Sequence, residues 1–206
     1  MIIHNQEVTS IRAQILDAAL GLFSERGFHG TSMPALAERA GIGAGTPYRH
    51  FESKEQLVNA LYRECKDALM GALLTDFPFD ATAREQHRAF FHRLVAFFRA
   101  RPEVFDFLEL HHHQPYLDAE NLERERQALS PVLAFFEHAR RERIVRAMPP
   151  EALAAVVWGV FSGLMKAARL GQVEASDALW AQAESCAWSA VRRGDPANET
   201  REEPEP

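Results

Sequence analysis

The sequence predicts an all-α fold, and three observations carry that expectation. Apolar residues recur at spacings of three and four along most of the 206 residues. Capping residues and glycine or proline stops punctuate the chain where helices would begin and end. No stretch alternates apolar and polar residues over a strand's length, and no internal repeat is present.

The elements follow in order. From Thr9 to Arg26, Ile11, Ile15, Ala18, Ala19, Leu22 and Phe23 form one helical face, with Thr9 or Ser10 as cap and Gly27 as stop. "TSMPALAERAG" predicts a short helix that Ser32 caps and Gly41 ends, with Pro34 in the first turn where its missing N–H costs little. A second short helix is expected over Ala44–His50. "SKEQ" is a capping box, Ser53 with Gln56, and starts a helix to about Leu74, where "DFPFD" breaks it. Longer helices follow from Thr82 to Ala100, from Pro102 to near "HHHQP", and from Asp118 to Arg143, the last kinked or split by Pro131. Two more run over Glu151–Leu170 and Asp177–Arg193. The tail 195–206 has nothing apolar worth burying and is expected to be disordered.

Composition narrows the class. The net charge of −6 is mostly a tail effect, since residues 195–206 carry five acids and one base. Residues 1–66 hold seven acids and seven bases, so the acidity does not exclude a nucleic-acid partner. Cys65 and Cys186 have no paired spacing, which argues against a disulfide framework or a zinc site. "MIIHNQEV" does not read as a signal peptide. The 17-residue "ALAAVVWGVFSGLMKAA" is marginal as a membrane span and reads better as a core or interface helix. The expectation is a soluble cytoplasmic protein without a membrane partner.

The first helices carry the chemistry. Ala37 is small enough to let a second helix approach, Gly41 takes the positive φ of a tight turn, and a short helix follows: helix-turn-helix spacing. Thr46, Tyr48, Arg49 and His50 supply hydrogen-bonding groups suited to phosphates and base edges, and Gly45 lets the backbone come close to DNA. Phe51 turns inward, and Lys54 at the next helix start can reach a phosphate.

Residues 9–62 resemble the DNA-binding domain of the TetR family of transcriptional repressors. The pieces, in order, are "F-x-x-x-G-F", a Thr-Ser pair, "A-x-x-A-G-I", "G-T-x-Y-x-H-F" and "S-K-E-x-L". The resemblance implies phosphate contacts from Thr31, Ser32 and Lys54, and recognition contacts from Thr46, Tyr48 and His50. Two departures stand out: Gly43 where the family often has Ser, and Pro47 where it often has a large aliphatic residue. If Ala44 caps the helix, Pro47 loses only an orphan N–H; if Gly43 caps it, one helical bond is lost.

The remainder carries no motif of comparable strength; its all-helical pattern is compatible with the larger ligand-binding and dimerisation domain that the resemblance implies. The expected division is 1–52 for the helix-turn-helix domain, 53–194 for the helical domain and 195–206 for the tail. In "FLELHHHQPYLD", successive histidines on a helix point about 100° apart, so His111, His112 and His113 cannot all ligate one ion. Glu109 and His112 have the Glu-x-x-His spacing of carboxylate-bridged metal sites, but the required second pair is missing. Three readings stay open: a pocket wall, a metal site, and ordinary helix-end histidines. Phe107, His111, His112, His113, Tyr116, Phe135, Trp158 and Phe161 are the candidate lining of an effector pocket. Gly159 and Gly163 share a helix face that permits close helix approach, and this helix with the last one, which carries Trp188, resembles the pair that forms the family's dimer interface; the alternative is an intramolecular core helix.

The expectation is therefore a homodimeric, non-enzymatic repressor of double-stranded operator DNA, without cofactor, metal or catalytic residues, released by a small-molecule effector. A helical metal enzyme built on the histidines and a helical interaction protein are the rivals.

Overall fold

The computed structural model describes residues 10–110 and 114–194. Nine α-helices lie among them: α1 Ile11–Arg26, α2 Met33–Arg39, α3 Pro47–His50, α4 Lys54–Leu74, α5 Ala83–Ala100, α6 Pro102–Phe105, α7 Ala119–Arg141, α8 Pro150–Arg169 and α9 Asp177–Val191. A π-helical turn, Asp106–Leu110, continues α6, and a 3-10 turn, Gln114–Tyr116, precedes α7. The tail 195–206 and His111–His113 lie outside the described residues.

Local signals explain most boundaries. Ser10 caps α1 by accepting from Ala13 N at 3.2 Å, and Gly27 (φ 67°) ends it. Ser32 caps α2 in the same way, accepting from Ala35 N at 3.3 Å. At α4, Ser53 accepts from Gln56 N, while the Gln56 carbonyl reaches back to Glu52 N at 2.7 Å, one residue before the cap.

Three expectations need correction. Helix α3 starts at Pro47, capped by Thr46, so neither Ala44 nor Gly43 is the cap. Proline's fixed φ and missing N–H suit the first helical position, and residues 43–46 form a turn closed by Thr46 N to Gly43 O at 2.8 Å. Of the kink or split expected at Pro131, the split does not occur: α7 continues through it. The helix opened by Pro102 is only four α-helical residues before its register widens into the π turn.

The chain forms two compact units: residues up to Gly71 with Phe97–Glu125, and Ala72–Ala96 with everything from Arg126. In the first unit Ile15, Ala19, Phe23, Leu36, Leu57 and Val58 are fully buried, together with Phe105 and Phe107 from the second stretch of chain. Phe23 and Phe107 stack with centroids 6.1 Å apart. In the second unit Phe91, Leu153, Phe161, Ala187 and Val191 are fully buried, with Trp180 nearly so. Each such large apolar side chain contributes about 1.5–3 kcal/mol of burial.

Candidate nucleic-acid interface and effector-domain residues

Helices α1 to α3 are held by a small set of contacts. Ala37 is buried, and Ile42 N bonds Ala37 O at 3.0 Å around Gly41, whose φ is 66°. Buried Pro47 and Phe51 anchor α3 from within. That leaves Gly45, Tyr48, Arg49 and His50 exposed, Tyr48 with 53% of its surface free, and Thr46 half-buried. An exposed aromatic hydroxyl, a guanidinium and an imidazole on one short helix can donate to phosphate oxygens and base edges. Ser32 is also exposed, at the start of α2.

Two residues expected to touch phosphate have partners within the chain. Thr31 is buried, and its hydroxyl donates to Gly27 O at 2.9 Å, with Leu22 O at 3.2 Å. It thereby ties the start of α2 to the end of α1. Lys54 Nζ donates to Phe28 O at 2.8 Å and Thr31 O at 2.9 Å, and lies 4.1 Å from the Phe28 ring centroid. Its charge is drawn into the α1–α2 turn by carbonyl dipoles and a π face. Both signals were invisible in sequence, because the partners lie in turns 4 to 26 residues away.

The effector candidates are distributed over both units. Phe107 is fully buried against Phe23 in the first unit, so it is core there rather than pocket wall. Tyr116 belongs to the same unit, stacked on Phe28 at 3.9 Å with its hydroxyl 2.5 Å from His29 Nε2. Phe135, Trp158 and Phe161 belong to the second unit. Phe161 lies 5.4 Å from Trp158, 5.9 Å from Trp180 and 6.1 Å from Phe91. His111, His112 and His113 are outside the described residues.

Sequence reasoning missed a buried charge cluster in the second unit. Arg84 forks onto the Glu184 carboxylate, with Nη2 to Oε2 at 2.7 Å and Nη1 on Oε1. His87 Nδ1 lies 2.8 Å from Glu184 Oε1. Burial pushes the His87 imidazole below its usual range, against the upward pull of Glu184. The neutral ring then donates Nδ1–H to the carboxylate. Burial raises the Glu184 carboxyl, yet Arg84 and His87 outweigh it and hold the group below the ordinary carboxylate range. His87 Nε2 and Trp180 Nε1 are both buried without a hydrogen-bond partner. The available sequence signal was Arg84 and His87 three apart beside the apolar face of α5. Among the described residues no group of three or more His, Cys, Asp or Glu is placed to hold a metal.

Helix α8 shows how the second unit presents apolar surface. Its mean hydropathy is 1.3 and it is long enough to cross a membrane, yet only 22% of its apolar window is buried. Ala155, Gly159 and Gly163 are exposed along one face, and nothing lies within 4 Å of a Cβ built at either glycine. Trp188, expected at the same interface, is half-buried, its ring 5.2 Å from His87 with Arg84 above it at 5.5 Å. It is partly committed within the chain.

Residues 51–193 match the family model described as the tetracyclin repressor-like C-terminal domain, and residues 15–61 match the model for bacterial regulatory proteins of the tetR family. The chain belongs to the TetR family. The transcriptional repressor KstR2 of Mycobacterium tuberculosis is 33% identical over 137 residues, 66% of this chain and 62% of that protein. The transcriptional regulator UidR of Escherichia coli K12 is 33% identical over 97 residues, 43% of this chain and 50% of that protein. The match thus spans less than two thirds of these relatives' own length. A TetR-family regulator from Marinobacter aquaeolei shares the fold with a TM-score of 0.80 and 26% identity, covering 89% of this chain and 96% of that one.

Proposed function

We propose that this family member is a homodimeric repressor, not an enzyme. It acts in the cytoplasm on a pseudopalindromic operator and leaves it when a small molecule binds. The observation that carries the reading is α3: Tyr48, Arg49 and His50 exposed together on a helix whose inner side is pinned by Pro47 and Phe51. A short helix pinned from within, with its donors turned to solvent, is what groove recognition needs. DNA binding is assigned to residues 1–52, effector binding and dimerisation to 53–194. The exposed apolar face of α8, with Gly159 and Gly163, supports pairing of two copies there, Trp188 closing the edge. Trp158 and Phe135, half-buried in the second unit, are favoured as effector contacts over Phe107 and Phe161, which are both spent in the core of their units.

The test is selection of bound genomic fragments by the purified protein, followed by gel mobility shifts on the recovered sequence. One enriched motif with two half-sites about 34–36 Å apart, or a multiple of that, is expected. Recovery of fragments with no shared motif overturns the reading.

A further inference from the structure

A polar joint lies in the first unit, away from the exposed face of α3. Asn59 on α4 is buried, and its amide is fully used. Its Nδ2 donates to Glu55 O and to Tyr116 O, both at 2.8 Å. Its Oδ1 accepts from Asp118 N at 2.8 Å and from Asn121 Nδ2 at 2.7 Å. Two donors and two lone pairs are all an amide side chain has. Three of the four bonds run to residues 57 to 62 positions later in the chain. Asp118 Oδ1 in turn accepts from Asn121 N at 2.8 Å and starts α7.

Tyr116 carries the joint onward. Its ring stacks on Phe28 at 3.9 Å, and its hydroxyl meets His29 Nε2 at 2.5 Å. Phe28 and His29 form the turn between α1 and α2, and Lys54 ties the same turn to the start of α4 through Phe28 O and Thr31 O. The turn ahead of the reading helices is therefore gripped by Tyr116 on one side and Lys54 on the other.

We infer that Asn59 is a positioning residue for DNA recognition: through Tyr116 it sets the orientation of the α1–α2 turn, and with it the reading helices α2 and α3, against α4 and the start of α7. The inference rests on the operator-binding reading above. An apolar pair would hold α4 against α7 at less desolvation cost, and Asn121 Oδ1 is left buried without a partner. Apolar contacts slide; a four-bond amide has one geometry. That trade of stability for a unique arrangement is the known use of buried polar groups at a helix register.

The size of the effect follows from the dimer. If loosening the joint leaves each subunit's reading helices in the competent orientation about a third of the time, operator affinity falls by that fraction twice, roughly tenfold.

The DNA probe is the duplex recovered by selection with the wild-type protein. The variants are Asn59→Leu, the double variant Asn59→Leu with Asn121→Leu, and Tyr116→Ala, which removes a half-exposed ring and its stack on Phe28 but keeps the backbone carbonyl that Asn59 bonds. Thermal melting and operator affinity are measured on each. The direct readout is the distance distribution between spin labels at Glu38→Cys and Ala119→Cys, both exposed, with Cys186→Ser. The Cys65 thiol is buried, pushed up to about 12 by burial, and stays unlabelled.

The expected result is a broadened or shifted distribution and a tenfold or greater loss of affinity in Tyr116→Ala and Asn59→Leu. In the double variant melting recovers, because no amide is left half-paired, and affinity does not. If folded Asn59→Leu and Tyr116→Ala keep both the wild-type distribution and wild-type affinity, or if affinity returns along with melting in the double variant, Asn59 is merely structural and the inference is overturned. Should Asn59→Leu fail to fold, Tyr116→Ala decides by the same two measurements. Should the wild type select no DNA, the operator reading fails, and the label distribution alone decides whether Asn59 positions the turn.

Discussion

Glu184→Gln should destabilise the second unit far more than a neutral, nearly isosteric change on a helix surface would. The carboxylate is 4% exposed and accepts from a 2%-exposed imidazole and a 40%-exposed guanidinium. Breaking a buried ion pair costs about 3–5 kcal/mol, because the remaining charge stays in a low-dielectric site. Here Arg84 is exposed enough to recover water, so roughly 2–4 kcal/mol remains. The glutamine can still accept from His87 Nδ1–H, but its amide nitrogen faces a guanidinium that can only donate. For a chain of this size each kcal/mol lowers Tm by about 2–4 °C, which gives a fall of roughly 4–16 °C. Differential scanning calorimetry at pH 7.5 and low protein concentration measures it. The triple variant Arg84→Met, His87→Phe, Glu184→Leu is the control, because replacing a whole buried ionic cluster by apolar groups of similar volume is neutral or stabilising. A Glu184→Gln melt within 1 °C of wild type would refute the reasoning, since a carboxylate that costs nothing to neutralise is not buried in solution.

Three further outcomes are expected. His87 has a lowered pKa, so the unfolded chain binds its proton first as pH falls; the contribution of neutral His87 is intact above about pH 6.5 and is lost as pH drops toward the folded value. Wild-type Tm should therefore fall between pH 7.5 and 5.5 and His87→Phe should flatten that segment, which melting at several pH values checks. Lys54→Met should lower Tm, having lost two carbonyl acceptors, while the slope of log affinity against log salt stays unchanged; a slope smaller by about one unit would restore a phosphate contact to Lys54. Gly163→Leu on the exposed face of α8 should leave the folded subunit intact but yield monomer or aggregate in sedimentation, and an unchanged dimer would move the interface elsewhere.

The sequence by itself determined what depends on neighbours along the chain. Ser10, Ser32 and Ser53 cap the helices they were expected to cap, and Gly27 and Gly41 take the positive φ their turns require, because caps and turns are settled within four residues. The ordered pieces from Phe23 to Leu57 pointed to the family for the same reason: a helix-turn-helix is a local object with a narrow spacing. Tertiary structure decided everything that needs a distant partner. It gave the Thr31 hydroxyl and the Lys54 ammonium backbone acceptors at the end of α1 and in the connection to α2, partners that the sequence around either residue does not announce. It moved Phe107 from an imagined pocket into the core beside Phe23, since periodicity reports that a side chain is buried but not against what. It paired His87 with Glu184, 97 residues away, and Asn59 with Asn121, 62 away. A buried polar group survives only beside its complement, and the closure that brings the two together is a property of the whole packing, written in no single stretch of chain.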